Sequence, residues 1–330
     1  MFVLGGSGQI GRALVPAMLA RGWEVCVGSS GERPVPEGAE HARLERDDTG
    51  ALRAALGDGV DVLVDCIAFE RAQAEQLLSL GALVRSLVVI SSAAVYADAR
   101  GRSLDSAEFP EYPVPIQERR QPTVEPGDAS YATKKRAIER ALLEHGPPAT
   151  LIRAGAIYGP GGDLREWYFV KRVLDGRRYI VLGDRGRSRF HPVSTENLAE
   201  LIRLAAERPG NRVVNAGDPD PPTVLEISRA IASALDHEWT EVLLPAPGEP
   251  CESPWTGPRP FVLDMTEAEF EVGYRPVTRY ERAVRAACEW LVEHARGRPW
   301  QEVAPSLAQH KATSFDYEAE DELLAALRAG

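Results

Sequence analysis

The chain of 330 residues is short of several things, and each shortage removes a class of protein. It has no apolar run of about 18 residues, so no membrane-spanning helix is expected. Its four cysteines, Cys26, Cys66, Cys251 and Cys288, are scattered without a short paired spacing. That argues against a disulfide frame and reads Cys26 and Cys66, in strand-like apolar runs, as buried small hydrophobes of a reducing compartment. The six histidines share no ligand spacing with one another or with cysteine, so no metal site is expected. Positive charge is in deficit: 38 Lys and Arg against 49 Asp and Glu give a formal net charge of -11. Neither nucleic acid nor an anionic membrane surface suits that balance, although a local basic pocket for a phosphorylated ligand remains open. Internal repeats are also missing. The first residues read as a core strand, which leaves no room for a signal peptide and points to the cytoplasm.

What is present is ordinary for a soluble globular enzyme: 44% apolar and 26% charged residues, enough for one large or two modest domains. Strand and helix signals alternate through the first half. Apolar runs at Met1–Leu4, Glu24–Gly28, His41–Glu45, Val60–Cys66, Leu87–Ile90 and Thr150–Arg153 read as strands. Helical runs fall among them at Arg12–Arg21, Thr49–Leu56, Glu70–Leu80 and Tyr131–His145. Such alternation implies a parallel sheet covered on both faces by right-handed crossovers. Pro16, inside the first helix, should kink it or limit its regularity. After Arg153 the pattern is mixed, with helices expected at Leu164–Leu174, Thr195–Glu207, Val224–Leu235 and Tyr280–Ala295 and short strands near Tyr179–Leu182, Arg212–Asn215 and Glu241–Leu244. The proline-rich 245–260 segment reads as irregular, and Phe315–Glu322 as the start of a solvated or docked acidic tail.

Three local patterns carry chemistry. Gly5, Gly8 and Gly11 follow the first strand at intervals of three and open a helix. The first suits a tight turn, the second a close approach of backbone to a pyrophosphate, the third close packing of helix on strand, and a helix amino end attracts phosphate. Tyr131 and Lys135 lie four apart, on one face of a helix. A lysine cation beside the phenol, with a cationic nicotinamide ring, would lower the phenol's pKa from about 10 and make it an acid/base group near neutral pH. Ser92 ends a central strand, where open α/β sheets bind ligands. The long polar, proline-rich stretch 97–128 between these segments reads as a substrate-covering loop.

Taken in order, these motifs resemble those of the extended short-chain dehydrogenases/reductases of the NAD-dependent epimerase/dehydratase type. Gly5-x-x-Gly8-x-x-Gly11 is followed by Ser91-Ser92-x-x-Val95-Tyr96, by Tyr131-x-x-x-Lys135, and by Arg153-Ala-Gly-Ala-Ile-Tyr-Gly-Pro160. Ser194–Ala199, Asn215–Asp218 and Gly273–Pro276 extend the similarity, which covers about residues 1–295. The resemblance implies a Rossmann-type doubly wound parallel sheet over residues 1–157, with a return contribution from about 188–215, and a substrate lobe over most of 158–330. It implies that Gly5, Gly8, Gln9, Ile10 and Gly11 wrap the pyrophosphate, that Glu45 and Arg46 border the adenine, and that Ala68 lies against the cofactor. Ser92, Tyr131 and Lys135 become the catalytic set, and the backbone of Ala154–Ile157 meets the nicotinamide. A homodimer, formed through helices such as Tyr131–His145, follows by analogy alone.

Departures from the family's patterns narrow the reaction. Where sugar 4,6-dehydratases carry an Asp-Glu pair, this chain has Ala93 and Ala94, which transfer no proton. Where epimerases of UDP-galactose carry an asparagine, it has Ala156. Arg187 and Arg189 are candidates to hold a phosphorylated or carboxylated group of a sugar or nucleotide-sugar substrate. The second strand ends in Gly28-Ser29-Ser30-Gly31 without a carboxylate, and Ser30 with Arg12 or Arg33 favours NADP over NAD. Three functions follow: an NAD(P)-dependent oxidoreductase working between a secondary alcohol and a ketone of a sugar-like molecule, an epimerase that retains its cofactor, and a non-catalytic nucleotide sensor.

Overall fold

The computed structural model describes residues 1–162, 165–246, 252–310, 315 and 317–329. Its strands are β1 (Phe2–Leu4), β2 (Cys26–Ser29), β3 (Glu40–Arg43), β4 (Val60–Asp65), β5 (Val84–Ser92), β6 (Ala149–Ala154), β7 (Ala156–Tyr158), β8 (Tyr179–Leu182), β9 (Pro192–Ser194), β10 (Arg212–Ala216) and β11 (Thr240–Leu243). Its α-helices are α1 (Gln9–Leu19), α2 (Thr49–Leu56), α3 (Arg71–Ser79), α4 (Tyr131–Glu144), α5 (Trp167–Leu174), α6 (Thr195–Glu207), α7 (Val224–Ala234), α8 (Thr266–Val272), α9 (Tyr280–His294), α10 (Trp300–Val303), α11 (Pro305–His310) and α12 (Glu318–Ala329). Leu164 and Cys251, named above, lie outside the described residues, as does part of the 245–260 segment. Cys26, Cys66 and Cys288 are free thiols.

The chain divides into two compact units. The first comprises Met1–Ile157, Val193–Pro219 and Phe261–Thr278, and the second Tyr158–Pro192, Asp220–Pro260 and Arg279–Gly330. A seven-stranded sheet in the order β10-β6-β5-β4-β1-β2-β3 organises the first unit, with every pairing parallel. Side chains alternate across a strand, so the apolar runs feed two cores at once. Val3, Val27, Val64, Val88, Ile90 and Ile152 turn to one face, where Leu14, Val15 and Met18 of α1 and Leu198, Leu201 and Ile202 of α6 meet them. Phe2, Leu4, Leu63, Leu87, Val89 and Leu151 turn to the other, against Leu52 of α2, Leu77 of α3 and Ile138 of α4. This is the doubly wound Rossmann-type architecture.

Pro16 does not break α1, which continues from Gln9 to Leu19. The residue sits on the exposed side, where the Arg12 carbonyl that a Pro16 N–H would have met is open to solvent, while Ile10, Leu14, Val15 and Met18 stay buried on the other. The second unit has an aromatic interior: Tyr158, Trp167, Tyr168, Phe169, Trp255 and Tyr280 are all buried. There β8 and β11 pair in parallel, and the acidic tail docks as a helix. Glu320 of α12, itself buried, pairs with Arg172 at 3.2 Å and Arg177 at 3.0 Å. Among the described residues no helix is long and apolar enough to cross a membrane.

Candidate active site

The strand β1 ends in a turn that only glycine satisfies. Gly5 adopts φ +76°, in the left-handed region, and its carbonyl accepts the Gly8 N–H at 2.9 Å. A Cβ on Gly11 would lie 2.0 Å from the Gly6 carbonyl oxygen, so α1 can leave the strand this closely only with glycine there. Gly8 precedes α1 and supplies no side-chain cap.

Beside this turn lies a cleft of about 280 Å³, near the lower end of small-molecule sites and of a size for one end of a dinucleotide. The structure brings Gly5, Gly8, Ser30, Arg33, Glu45 and Arg46 together on it. Gln9, Ile10, Gly11 and Ala68 are not part of this lining, and the Ile10 side chain belongs to the hydrophobic core. Exposed Arg12 also lies off the lining. The expectation of a carboxylate-free wall needs correction, because Glu32, one residue past Gly31, lines the same cleft beside Arg33. A cation that the sequence reading passed over, Arg43 of β3, donates from Nε to the Ser30 carbonyl at 3.0 Å. Arg46 is held from behind: its guanidinium bonds Gln76 and pairs at 2.5 Å with Asp65, a fully buried carboxylate at the end of β4.

The candidate catalytic residues come from β5 and α4. Ser130 caps α4 through a reciprocal box with Thr133, and Asp105 accepts the Ala132 N–H at 3.0 Å, which fixes the first turn of the helix. From that turn the Tyr131 side chain, 45% exposed, places its phenol near the Ser92 hydroxyl, which acts to lower the phenol's pKa. One turn on, Lys135 is buried, and its ammonium donates to the carbonyls of Ala68 at 2.6 Å and Ile90 at 2.9 Å. Two of its three N–H bonds are thus taken by backbone. The Lys135 Nζ also lies 4.7 Å from the centre of the Phe69 ring and 5.7 Å from that of Tyr131. Burial pulls the Lys135 pKa down to about 8, against the raising influence of Asp65, Cys66 and Glu139.

The Tyr131 phenol departs from the expected direction. The side chain is 45% exposed, yet partial desolvation of the phenol raises its pKa above the ordinary value and Asp105 raises it further, while the nearby Ser92 hydroxyl lowers it. Lys135 reaches the ring but not the hydroxyl, so the protein alone does not make the phenolate the favoured form.

Beneath this site runs a buried polar network that the sequence reading did not identify. Arg153 of β6 forms a forked pair with Glu139 of α4 at 2.9 and 2.7 Å, and Ser91 donates to the same carboxylate at 2.7 Å. Tyr96 covers Arg153, with ring centre and guanidinium 4.8 Å apart, and its hydroxyl donates to Asn215 of β10 at 2.6 Å. The 97–128 stretch is tied into its own unit. Asp98 accepts from the backbone N–H groups of Arg100, Arg102 and Glu111, Tyr112 donates to the Tyr96 carbonyl at 2.9 Å, and Glu118 accepts the Asn215 N–H at 2.6 Å.

Ala156 is half-buried on β7 in the first unit. Arg187 and Arg189 belong to the second, where Arg187 is exposed and paired with Asp184 at 2.9 Å and Arg189 donates to the Pro221 carbonyl. Among the described residues no group of acidic, histidine or cysteine side chains has the arrangement of a metal site.

A glycine turn under a parallel-sheet cleft, with Ser, Tyr and Lys at the next strand end and helix, defines an NAD(P)-binding enzyme fold of the short-chain dehydrogenase/reductase type. The chain belongs to the NAD dependent epimerase/dehydratase family, whose model matches residues 1–217. It is 29% identical over 262 residues to the 2'-dehydrokanamycin reductase of Streptomyces kanamyceticus, covering 74% of this chain and 69% of that protein. To the dTDP-6-deoxy-L-talose 4-dehydrogenase (NAD(P)(+)) of Kitasatospora kifunensis it is 27% identical over 306 residues, 86% of this chain and 92% of that one. The fold superposes on UDP-glucose 4-epimerase of Bifidobacterium longum, solved with NAD+ and UDP, at a TM-score of 0.67, with 17% identity and coverage of 90% and 99%. The Thermotoga maritima UDP-glucose 4-epimerase gives 0.66, with 17% identity and coverage of 88% and 98%. The protein is thus an enzyme of the reductase, dehydrogenase and epimerase type, with an NAD(P)-dependent fold.

Proposed function

We propose that the protein interconverts a secondary alcohol and a ketone on a sugar-like molecule, with net use of a nicotinamide cofactor. The Ser92 and Tyr131 hydroxyls brought together beside the buried Lys135 ammonium carry this reading. The fit to the cofactor rests on the turn that admits only glycine at positions 5 and 11, and on the cleft from Ser30 to Arg46. The bound nicotinamide supplies the hydride or accepts it. Tyr131 gives a proton to the ketone oxygen in reduction and takes one from the alcohol in oxidation. Ser92 orients that oxygen beside the phenol. Lys135 directs its remaining N–H toward the cofactor ribose, and the lowering of the phenol's pKa that the protein does not provide would come from the positive ring of the oxidised cofactor once bound.

Ser30, Arg33 and Arg43 favour NADP, with Glu32 opposing a 2'-phosphate. The two curated relatives, a reductase and a dehydrogenase in name, support net redox turnover on a sugar. Denaturing the purified protein and identifying any released nucleotide, then titrating the emptied protein with NADPH and NADH, tests the cofactor reading. An empty protein that binds NADPH more tightly supports it, and tightly retained NAD favours an epimerase instead. Tyr131→Phe should lower turnover by about 10²–10⁴-fold and leave nucleotide binding intact. Full activity in that variant would remove Tyr131 from the mechanism.

A further inference from the structure

Helix α4 opens on Tyr131, and the 97–128 loop holds its first turn from outside at two points. Asp105 accepts the Ala132 N–H at 3.0 Å, and Gly127 donates its N–H to the Thr133 carbonyl at 3.1 Å. Other helices are capped from within their own turn: Asp48 serves α2 and Thr223 serves α7. In α4 the local cap, Ser130, already accepts the Thr133 N–H. Asp105 takes the Ala132 donor as well, from 27 residues upstream.

The tip that presents Asp105 is itself built. Asp98 gathers the backbone N–H groups of Arg100, Arg102 and Glu111 and pairs with the Arg102 side chain at 2.6 Å. Ser103 and Ser106 then close a turn, each donating a backbone N–H to the other, and the Asp105 N–H donates to the Ser103 hydroxyl at 3.3 Å. Among the described residues no Lys or Arg pairs with Asp105, so its charge is not cancelled. Three groups bear on the phenol: Lys135 of its own helix, near the ring; Ser92 of β5; and Asp105 of the loop, whose charge opposes ionisation.

We propose that Asp105 is a positioning residue for Tyr131, holding the first turn of α4, and with it the phenol beside Ser92, in place from the 97–128 loop. Its negative charge disfavours a second one on the phenolate. The loop thereby keeps Tyr131 a proton donor, the form that ketone reduction consumes, until an oxidised cofactor with its positive ring offsets it. This deepens the oxidoreductase reading and rests on it only in giving Tyr131 the proton transfer.

The test follows the phenol itself. The full chain is labelled with tyrosine carrying carbon-13 at Cζ, whose NMR shift reports ionisation, and the Tyr131 signal is the one lost in Tyr131→Phe. Titration through about pH 10 then reads that one group. Asp105→Asn keeps an acceptor for the Ala132 N–H and removes the charge. Its Tyr131 signal should match the parent at neutral pH and titrate at lower pH. Asp105→Ala removes both, so its neutral-pH signal should move or broaden, and Asn in its place should restore it. Parent-like titration in Asp105→Asn would show that the charge does not reach the phenol and would overturn the proposal. So would an Asp105→Ala signal identical to the parent's, whatever its melting temperature, since the cap is then structural alone. Should Asp105→Ala not fold, Asp105→Asn decides, and failure of both to fold assigns Asp105 to the fold and overturns the proposal as well. The titration needs neither nucleotide nor substrate. NADPH binding by a parent whose phenol ignores Asp105 sinks this proposal alone, and a phenol that follows Asp105 in a protein that binds no nucleotide sinks the cofactor reading alone.

Discussion

Helix α4 carries two polar regions one turn apart. At its amino end the Tyr131 phenol lies near Ser92, and the Lys135 ammonium donates to two carbonyls, with no carboxylate bonded to it among the described residues. One turn further on, Glu139 is surrounded by Arg153, Ser91 and Arg136. Lys135 and Glu139 are both buried, yet only Glu139 is electrically matched. Burial drives the Lys135 pKa down, whereas Arg153 is held well above the ordinary guanidinium value because the Glu139 carboxylate outweighs the burial that would lower it. A matched pair is finished without a ligand and serves to lock β5, β6 and α4 together. An under-matched cation is left responsive to whatever binds. In the second unit Arg172 and Glu320 form another matched pair.

If the matched region is the lock, breaking it should have the largest cost. Glu139→Leu strands the buried Arg153 charge and should cost about 3–5 kcal/mol of stability, read by chemical denaturation. Adding Arg153→Met should return much of that loss, since two apolar side chains remove the stranded charge. A double variant no better than Glu139→Leu would show that the forked pair is not the source of the effect. In the second unit Glu320→Ala removes the buried carboxylate that Arg172 and Arg177 share, at a cost of about 3 kcal/mol. Limited proteolysis should then cleave near α12 faster than in the parent. Equal cleavage rates would mean that the aromatic contacts of Arg172 with Tyr168 and Tyr317 dock the tail by themselves.

The open region should behave in the opposite way. Lys135→Met should leave ligand-free stability at pH 7 nearly unchanged, because the variant loses two hydrogen bonds together with a desolvated charge. Nucleotide affinity should fall about tenfold. The pH dependence has a definite sign. With a folded pKa of about 8 against 10.5 unfolded, the unfolded chain binds more protons between those values, so parent stability rises with pH across that window. In Lys135→Met that rise should disappear. A parent whose stability falls from pH 8 to pH 10.5 through a lysine-dependent step would reverse the assignment.

The same division explains what could be read from the chain alone. Gly5, Gly8 and Gly11, and Tyr131 with Lys135, are local patterns whose spacing already fixes a turn or a helix face. The doubly wound sheet followed from alternating apolar runs for the same reason. Arg46 with Asp65, Arg153 with Glu139, and Glu118 with Asn215 join residues from different strands, helices or loops, and only the tertiary fold brings them together. Arg43 reaches Ser30 because β3 lies beside β2 in the sheet, a neighbour relation absent from the sequence. Glu32 was passed over although it lies one residue past the inspected turn, because the expected carboxylate belongs at the strand end itself. The direction of the Tyr131 shift depends on depth of burial, which spacing does not give.

Glu118 falls between the two classes and offers the smallest effect. One of its carboxylate oxygens accepts the Asn215 N–H at 2.6 Å, and the other is buried without a partner. Burial pushes its pKa from 4.5 up to about 7, with Glu267 and Asp264 adding to the rise and the backbone hydrogen bonds opposing it. The folded chain therefore holds a proton here between pH 4.5 and 7 that the unfolded chain has released. This contribution to stability is fully present below pH 4.5 and is lost as pH rises through 7. Glu118→Gln keeps the acceptor for Asn215 and removes the titration. At pH 8 the variant should exceed the parent by about 1 kcal/mol, discounted for partial solvent access, and the gap should close at pH 5. Melting curves at the two pH values decide it. A variant less stable than the parent at pH 8 would mean that the Glu118 carboxylate is matched after all, and that this stretch of the 97–128 loop belongs with the lock around Arg153.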